Sequence, residues 1–333
     1  YGVFLLNRVL LSGHGGFIGR HCLDYWLSNT DWDFVCLDSF RHSDSSLRRV
    51  VEVADNPRVT TFKHDLSVFI DKPLANLIQQ SGGPDIIVNM ASDSDVDRSV
   101  INPVPCLRNN YDLMISMLEY ASSVGNLRAF IHISTDEVYG EILDGVGHLE
   151  WSRINPSNPY AASKAAQEAL AISYWRSYDV PVIIVNIMNV IGERQNRNRF
   201  LPKIIRSILN NVEVPIFCNE DSGVIGSRVY THAKNVADAI KYIINNLPAK
   251  LYKDQSYLDR YNVCGDGEVS NLQLAELVAK VMGKDLRHRL IPGISFRGDR
   301  YLLDGGKLRN LGWVPPMNLN DSLGQIVSWS VAN

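Results

Sequence analysis

The chain has 333 residues, of which 45% are hydrophobic and 21% are charged, and its formal net charge is −3. This length and composition allow a large buried core and favour two structural lobes. The weakly acidic balance argues against a nucleic-acid or anionic-membrane partner, and no apolar run reaches the roughly 18 to 20 residues of a membrane span.

The chain opens on an apolar run over residues 1–11, and a glycine-rich turn follows without a cleavage-site pattern. We therefore expect a first buried strand rather than a signal peptide. The missing initiator Met suggests a natural start slightly upstream, or trimming. Five cysteines are scattered without paired metal spacing: Cys22, Cys36, Cys106, Cys218 and Cys264. Their spacing predicts free buried thiols in a reducing cytoplasm, with no disulfide framework and no metal site.

The first half of the chain alternates short apolar runs with helical patterns, which is typical of βα repeats. Six runs are continuous and β-branched, as in parallel strands covered on both faces: Arg8–Ser12, Phe34–Asp38, Val59–Lys63, Ile86–Met90, Ala129–Ser134 and Val182–Ile187. The clearest helical patterns among them are Tyr111–Ser123 and Ala161–Tyr178. We predict an α/β fold with a Rossmann-type doubly wound parallel sheet.

From about residue 188 the alternation breaks into mixed pieces. One is a helix over Leu272–Met282, preceded by the possible capping residues Ser270 and Asn271. We expect residues 1–187 to form the dinucleotide-binding domain, with returning segments from about 225–250. Residues 188–333 would then form mainly a smaller, mixed α/β substrate-binding lobe.

The turn after the first strand carries the glycine spacing of a dinucleotide site. Side chains at Gly13, Gly16 or Gly19 would block the tight turn, the approach to a pyrophosphate or helix packing. The next helix begins with Phe17 and Ile18, and this end of the helix offers N–H groups to phosphates. The turn therefore predicts a dinucleotide cofactor.

The identity of that dinucleotide depends on the end of the second strand, Asp38-Ser39. A carboxylate 19 residues after Gly19 can accept both hydroxyls of the adenosine ribose and repel a 2′-phosphate. We therefore predict NAD rather than NADP, although His14 and Arg41 could reduce that repulsion. Past the third strand, Asp65 and Leu66 are expected to contact the adenine.

Two later segments carry catalytic side chains. Thr135, Asp136 and Glu137 directly follow an apolar strand, and Tyr160 and Lys164 lie four residues apart on one helix face. A free tyrosine, with a pKa near ~10, is a poor base at neutral pH. A neighbouring ammonium and a nicotinamide cation would favour its phenolate.

Together these segments resemble the extended short-chain dehydrogenase/reductase family, and within it the nucleotide-sugar 4,6-dehydratases of the dTDP-glucose type. The resemblance covers nearly the whole chain and implies that Tyr160, supported by Lys164, takes the proton of the sugar O4 while Thr135 holds that hydroxyl. It further implies that Glu137 takes the C5 proton and that Asp136 protonates the departing C6 hydroxyl. Two carboxylates with separated pKa values can divide these roles.

The resemblance also implies binding residues. Ala91, Ser92 and Asn110 would border NAD. Substrate contacts are expected, on the same basis, from Ser94, Asp95, Thr135, Asn189, Leu201, Lys203, Phe217, Arg228, Asn271 and Arg297.

The chain departs from the family pattern at several positions. Asp93 replaces the usual Glu, Asp95 the usual His and Asn186 the usual Arg, and the family segment around Arg297 has lost its Pro and His. Because the first two changes lie where the hexose is expected, the sugar stays open.

Several outcomes stay open on this fold. The main alternative is a nucleotide-sugar 4-epimerase, and a dehydratase could add a 5-epimerisation or a 5,6-elimination. A non-catalytic NAD-sensing or scaffold protein is a further alternative. The helices Tyr111–Ser123 and Ala161–Tyr178 resemble those of a four-helix dimer interface, which predicts a homodimer.

Overall fold

The computed structural model describes residues 7–41, 53, 55–142, 145–247, 257–293 and 300–333. The predicted substrate residue Arg297 and the first six residues of the opening apolar run lie outside this range.

Seven parallel strands form the central sheet in the order β3-β2-β1-β4-β5-β6-β11. They are β1 (Arg8–Ser12), β2 (Asp33–Asp38), β3 (Val59–Lys63), β4 (Ile86–Asn89), β5 (Ala129–Thr135), β6 (Val182–Ile187) and β11 (Asp259–Val263). The order reverses between β1 and β4, and open α/β sheets bind ligands at such a switch point. The predicted fold class is confirmed.

Helices cover both faces of this sheet, which explains the continuous apolar runs. Val9 and Leu11 pack with α1 (Phe17–Asn29) and α7 (Ala233–Asn245), whereas Leu10 packs on the opposite face. That second face is covered by α2 (Lys72–Gln80), α4 (Pro103–Ser123) and α5 (Pro159–Tyr178), and the short α3 (Val96–Ile101) precedes α4. Four of the five cysteines are buried free thiols, and Cys218 is partly exposed.

The helix predicted over Leu272–Met282 begins one residue early, at Asn271, and two other helices begin before the predicted positions at a proline. Helix α4 starts at Pro103 rather than Tyr111, and α5 starts at Pro159 rather than Ala161. Proline suits the first turn of a helix because its missing N–H would have no partner there.

The strand β11 was not predicted. Its sequence, Asp-Arg-Tyr-Asn-Val, has no apolar run, yet Arg260 in it is buried. An ion pair makes that burial possible, and a pattern of apolar residues cannot detect it.

The remaining elements form the second lobe and its connections. They are β7 (Val190–Ile191), α6 (Phe200–Leu209), β8 (Val214–Asn219), β9 (Ser227–Val229), β10 (Thr231–His232), β12 (Glu268–Ser270), α8 (Asn271–Met282), β13 (His288–Gly293), β14 (Arg300–Tyr301), α9 (Gly306–Asn310) and α10 (Leu319–Ala332). Helices α6, α8 and α10 share a core that includes Ile204, Leu274 and Ile326. As expected from its sequence, Ser270 caps α8, through a capping box with Gln273.

The chain returns to the first lobe through α7, which packs on α1, and through β11. The domain boundary at residues 187/188 stays a prediction. Within the described part of the chain, no helix is both long and apolar enough to cross a membrane.

Candidate active site

The glycine turn lies between β1 and α1. Gly13 has a φ of +75°, and a Cβ there would lie 2.9 Å from the backbone of Ala91. A Cβ on Gly19 would lie 2.2 Å from the carbonyl oxygen of Gly13. Gly16 is the N-cap of α1 and leaves its first N–H groups, including those of Phe17 and Ile18, without a side-chain acceptor. The turn thus fits a pyrophosphate, which such N–H groups bind well.

The carboxylate of Asp38 lies against this turn. Its Oδ2 accepts the Gly15 N–H at 2.9 Å, and its Oδ1 accepts the N–H of Phe40, past Ser39, at 2.8 Å. Gly15, which forms a Gly-Gly pair with Gly16, was not among the predicted cofactor residues, and its contact with Asp38 makes it a further candidate.

Neither His14 nor Arg41 offsets the negative charge of Asp38. Burial lowers the pKa of His14, despite the opposing charge of Asp38, so its ring is neutral at pH 7. The Arg41 guanidinium pairs with Asp65 at 2.6 Å instead, and Leu66 next to Asp65 is buried. These contacts favour a cofactor without a 2′-phosphate.

The segment after β4 is tied into the protein by Asn110. The Asn110 side chain accepts the Asp93 N–H at 2.8 Å and donates to the Asp93 carbonyl at 3.0 Å and to Ser163 at 2.8 Å. Ala91 donates its N–H to Ser12, and Ser92 contacts the Asp93 carbonyl. The side chain of Asn110 therefore serves internal bonds, and the cofactor roles of these residues stay predictions.

The two carboxylates predicted to be catalytic, Asp136 and Glu137, follow β5 in a short 3-10 turn, Asp136–Val138. Thr135 donates its hydroxyl to Asp136 at 3.0 Å and accepts the Glu137 N–H at 3.4 Å. Burial and the charge of Glu137 raise the pKa of Asp136 to about 7. Burial also raises the pKa of Glu137, which is opposed by a hydrogen bond from Asn158 and by the charges of Arg228 and Arg199.

Tyr160 and Lys164 both lie at the start of α5, on the face of the sheet that α5 covers. Burial raises the pKa of Tyr160, and the charges of Glu137 and Asp136 raise it further. Lys164 donates from Nζ to the Ile133 carbonyl at 2.7 Å and to Gln167 at 2.6 Å. Burial lowers the Lys164 pKa to about 7. Burial and the two carboxylates dominate at Tyr160 in the protein alone. The expected phenolate, which requires the nicotinamide cation as well as Lys164, stays a prediction.

The departures after β4 form local contacts. Asp95 caps α3 by accepting the Arg98 N–H at 3.0 Å. Asp93 accepts two hydrogen bonds from Arg98, each 2.6 Å long. The adjacent Ser94 is exposed, and its carbonyl accepts from Arg199 at 3.1 Å.

The other predicted substrate residues are placed in different environments. Asn189 has a φ of +30°, and its buried Nδ2 has no hydrogen-bond partner among the described residues. Leu201 is buried in the second-lobe core, whereas Lys203 and Phe217 are exposed. Asn271 begins α8, and its Oδ1 accepts from the Tyr230 hydroxyl at 3.4 Å. All of these substrate contacts stay predictions.

The charges of Arg228 and Arg199 act on the carboxylates after β5 from the second lobe. Arg228 lies over the Tyr301 ring, 4.9 Å from its centroid, and its charge lowers the pKa of Asp136 and of Glu137. Arg199 precedes α6 and was missed, although it is the cation directly before the predicted segment at Leu201. Both cations are suited to hold an anionic diphosphate near the carboxylates.

Comparisons with known proteins agree with this geometry. Residues 9–264 match the model of the "NAD dependent epimerase/dehydratase family". A trifunctional UDP-glucose 4,6-dehydratase, 3,5-epimerase and reductase of Arabidopsis thaliana is 31% identical over 98% of the chain. The chain spans only 47% of that plant protein's length.

Two solved structures share the fold. The dTDP-glucose 4,6-dehydratase of Streptomyces venezuelae, solved with NAD, is 27% identical, with a TM-score of 0.84 and coverage of 98% of this chain and 97% of that one. The UDP-glucose 4-epimerase of Thermus thermophilus, also solved with NAD, is 24% identical, with a TM-score of 0.82 and coverage of 97% and 99%; it supports the fold alone.

The family match extends from the first strand to the residue after β11 and so includes the glycine turn, Asp38 and both segments predicted to be catalytic. It confirms the predicted NAD cofactor and the resemblance stated from the sequence. The chain belongs to the NAD-dependent epimerase/dehydratase family of nucleotide-sugar enzymes.

Proposed function

We propose that the protein is a nucleotide-sugar 4,6-dehydratase, which converts an NDP-hexose of the dTDP- or UDP-glucose type to its 4-keto-6-deoxy form. The observation that carries this proposal is the pair Asp136 and Glu137 directly after Thr135. A pKa of about 7 leaves much of Asp136 protonated at neutral pH, whereas Glu137 accepts a hydrogen bond and faces two cations. Adjacent carboxylates in different environments are what an acid and a base require.

The residues of this chain divide the proton transfers. Tyr160 takes the proton of the sugar 4-hydroxyl, and Thr135 holds that oxygen. The ketone formed at C4 acidifies the C5–H, and Glu137 takes the C5 proton. Asp136 gives its proton to the C6 hydroxyl, which leaves as water, and C5 is protonated again at the end.

The glycine turn and Asp38 would hold NAD, with Lys164 near its nicotinamide ribose. When bound, NAD would supply the acceptor for the C4 hydride. The same hydride would return to C6, so that the cofactor is unchanged overall.

The nucleotide diphosphate is assigned to the second lobe. Arg228, Arg199 and the unpaired amide of Asn189 offer donors to phosphate oxygens. Lys203, Phe217 and Asn271 lie on the same lobe and would contact the nucleotide.

A panel of UDP-, dTDP- and GDP-hexoses tests the proposal by mass spectrometry. We expect one donor to yield a product lighter by one water. A product of unchanged mass with inverted C4 would instead identify a 4-epimerase, and no turnover of any donor would favour a non-catalytic role. The stereochemistry at C5 and the position of any alkene in the product decide between simple dehydration and the 5-epimerase or 5,6-elimination outcomes.

We also propose a homodimer through α4 and α5, which pack side by side. Val104 and Tyr111 on α4 and Tyr178 on α5 are exposed apolar side chains that a partner copy would cover. Light scattering should give twice the chain mass, and a monomeric mass would refute the assignment.

A further inference from the structure

Asn158 connects the two catalytic segments through a single amide group. Its Nδ2 donates to Glu137 Oε2 at 2.8 Å, and its Oδ1 accepts the Ala161 N–H at 2.8 Å. Only 7% of the residue is exposed. The same side chain therefore starts the helix of Tyr160 and touches the proposed base.

The helix cap determines which atom of Asn158 faces Glu137. As the N-cap of α5, Asn158 must turn an acceptor toward the Ala161 N–H. The opposite orientation would place Oδ1 against a carboxylate and the NH₂ group against a backbone N–H, so that two hydrogen bonds would be lost. The donor to Glu137 is consequently fixed by the start of α5.

Titratable and charged groups face Glu137 from four other elements as well as from its own turn. They are Asp136 in the turn, Tyr160 on α5, Arg199 before α6, Arg228 on β9 and Tyr301 on β14. Burial raises the pKa of Glu137, and the hydrogen bond from Asn158 is the largest effect that opposes this rise. A carboxylate must be ionised to act as a base, so this bond favours the active form.

We propose that Asn158 is a positioning residue for the base. Its amide donates to one oxygen of Glu137, which favours the ionised carboxylate, and leaves the other oxygen to take the proton from the sugar C5. This inference rests on the proposed dehydratase function. Asn158 itself has no contact with the reacting atoms in this assignment and acts only through Glu137.

Two substitutions remove the amide NH₂ group and keep an oxygen that can cap α5. Asn158→Asp is nearly isosteric, retains a capping oxygen and turns an acceptor toward Glu137, whereas Asn158→Ser caps with its hydroxyl. We expect the pKa of Glu137 to rise by about one unit or more in the Asp variant and by less in the Ser variant. Elimination should then fall about tenfold on the acid side of the pH profile.

Two readouts separate this role from a structural one. The first is a ¹³C NMR titration of the glutamate carboxyl carbons without sugar, with Glu137→Gln to assign the Glu137 signal. The second is the acid limb of the pH profile for elimination. The rate of C4 oxidation, measured beside it, should change little. A general disturbance of α5 would slow both chemical steps and leave the Glu137 titration in place.

Asn318 provides a matched control. It caps α10 by accepting the Asp321 N–H at 2.9 Å and donates to the Asp321 carboxylate at 2.8 Å. Asn318→Asp and Asn318→Ser should leave the Glu137 titration and the acid limb unchanged.

The outcomes distinguish this inference from the proposed function. If the wild-type protein dehydrates a donor but both Asn158 variants keep the wild-type titration and acid limb, the inference is wrong and the function stands. If no donor is dehydrated, the proposed function is lost, and the link between Asn158 and Glu137 is still read from the titration.

Discussion

Removing one partner of the buried ion pair behind the turn Asp136–Val138 should destabilise the protein strongly. Arg260 on β11 donates to Glu168 on α5 at 2.5 Å, and both side chains are at most 1% exposed. Arg260 also donates to the Glu150 carbonyl at 3.0 Å and to the Tyr139 hydroxyl at 3.1 Å. Arg260→Met keeps an unbranched chain of similar length but removes the charge and all of these bonds.

The size of the effect follows from what the substitution leaves behind. Glu168 would keep the Asn186 amide at 2.9 Å and the more distant charge of Lys164, but this buried carboxylate would lose its ion-pair partner. Breaking a buried pair in this way typically costs about 3–5 kcal/mol. We therefore expect the free energy of unfolding from urea titrations at pH 7 to fall by about that amount.

Two further variants check this reasoning. Arg287→Met removes a solvent-exposed pair with Glu213, whose closest atoms are 3.9 Å apart, and should cost only about 0–1 kcal/mol. The double variant Arg260→Met/Glu168→Met should recover much of the loss, because no stranded charge remains. A loss below about 1 kcal/mol in Arg260→Met, or a double variant no more stable than the single one, would refute the reasoning.

Three other predictions concern the cofactor turn, the acid and the lobe junction. Gly19→Ala would place a methyl group 2.2 Å from the Gly13 carbonyl oxygen. It should lower the free energy of unfolding by about 1–3 kcal/mol and weaken NAD binding measured by calorimetry. Gly125→Ala, which has open space around it, should have neither effect. Because Asp136 must be protonated to act and its pKa is raised to about 7, elimination should decline above that pH. Asp136→Asn should slow elimination about 10²–10⁴-fold while C4 oxidation continues; full turnover would exclude Asp136 as the acid. The pKa of Glu193 is lowered to about 2, because its hydrogen bonds and the charges of His232 and His21 together outweigh burial. The stabilisation from this ionised carboxylate is present above its usual pKa and is lost as the pH falls toward 2. Glu193→Gln should therefore flatten the acid side of the thermal stability profile.

The sequence predicts the first six strands to within one residue at each end, for a physical reason. Parallel strands covered on both faces need continuous apolar runs, and such runs are visible without a structure. The glycine turn is visible for a related reason, because no other residue fits the close backbone approach at Gly13 and Gly19.

The contacts around the carboxylates are less accessible to sequence reasoning. Asn158 looks like an ordinary helix cap, and only the fold shows that the 3-10 turn at Glu137 lies within reach of its free NH₂ group. Arg199 is likewise one cation among 33 lysines and arginines until the second lobe brings it toward the site. Both depend on the packing of segments that are far apart in the chain.

The departure at Asn186 shows why a motif cannot always be read along one strand. On the sequence alone, Asn186 stands where the resemblance leads us to expect an arginine. Yet β11 is the parallel neighbour of β6, with Arg260 paired in register to Ile184, and from there its guanidinium reaches Glu168. Asn186 donates to both that glutamate and the Thr135 carbonyl. A positive charge from the adjacent strand therefore balances Glu168 behind the turn Asp136–Val138, and Asn186 links that buried pair to the backbone of Thr135.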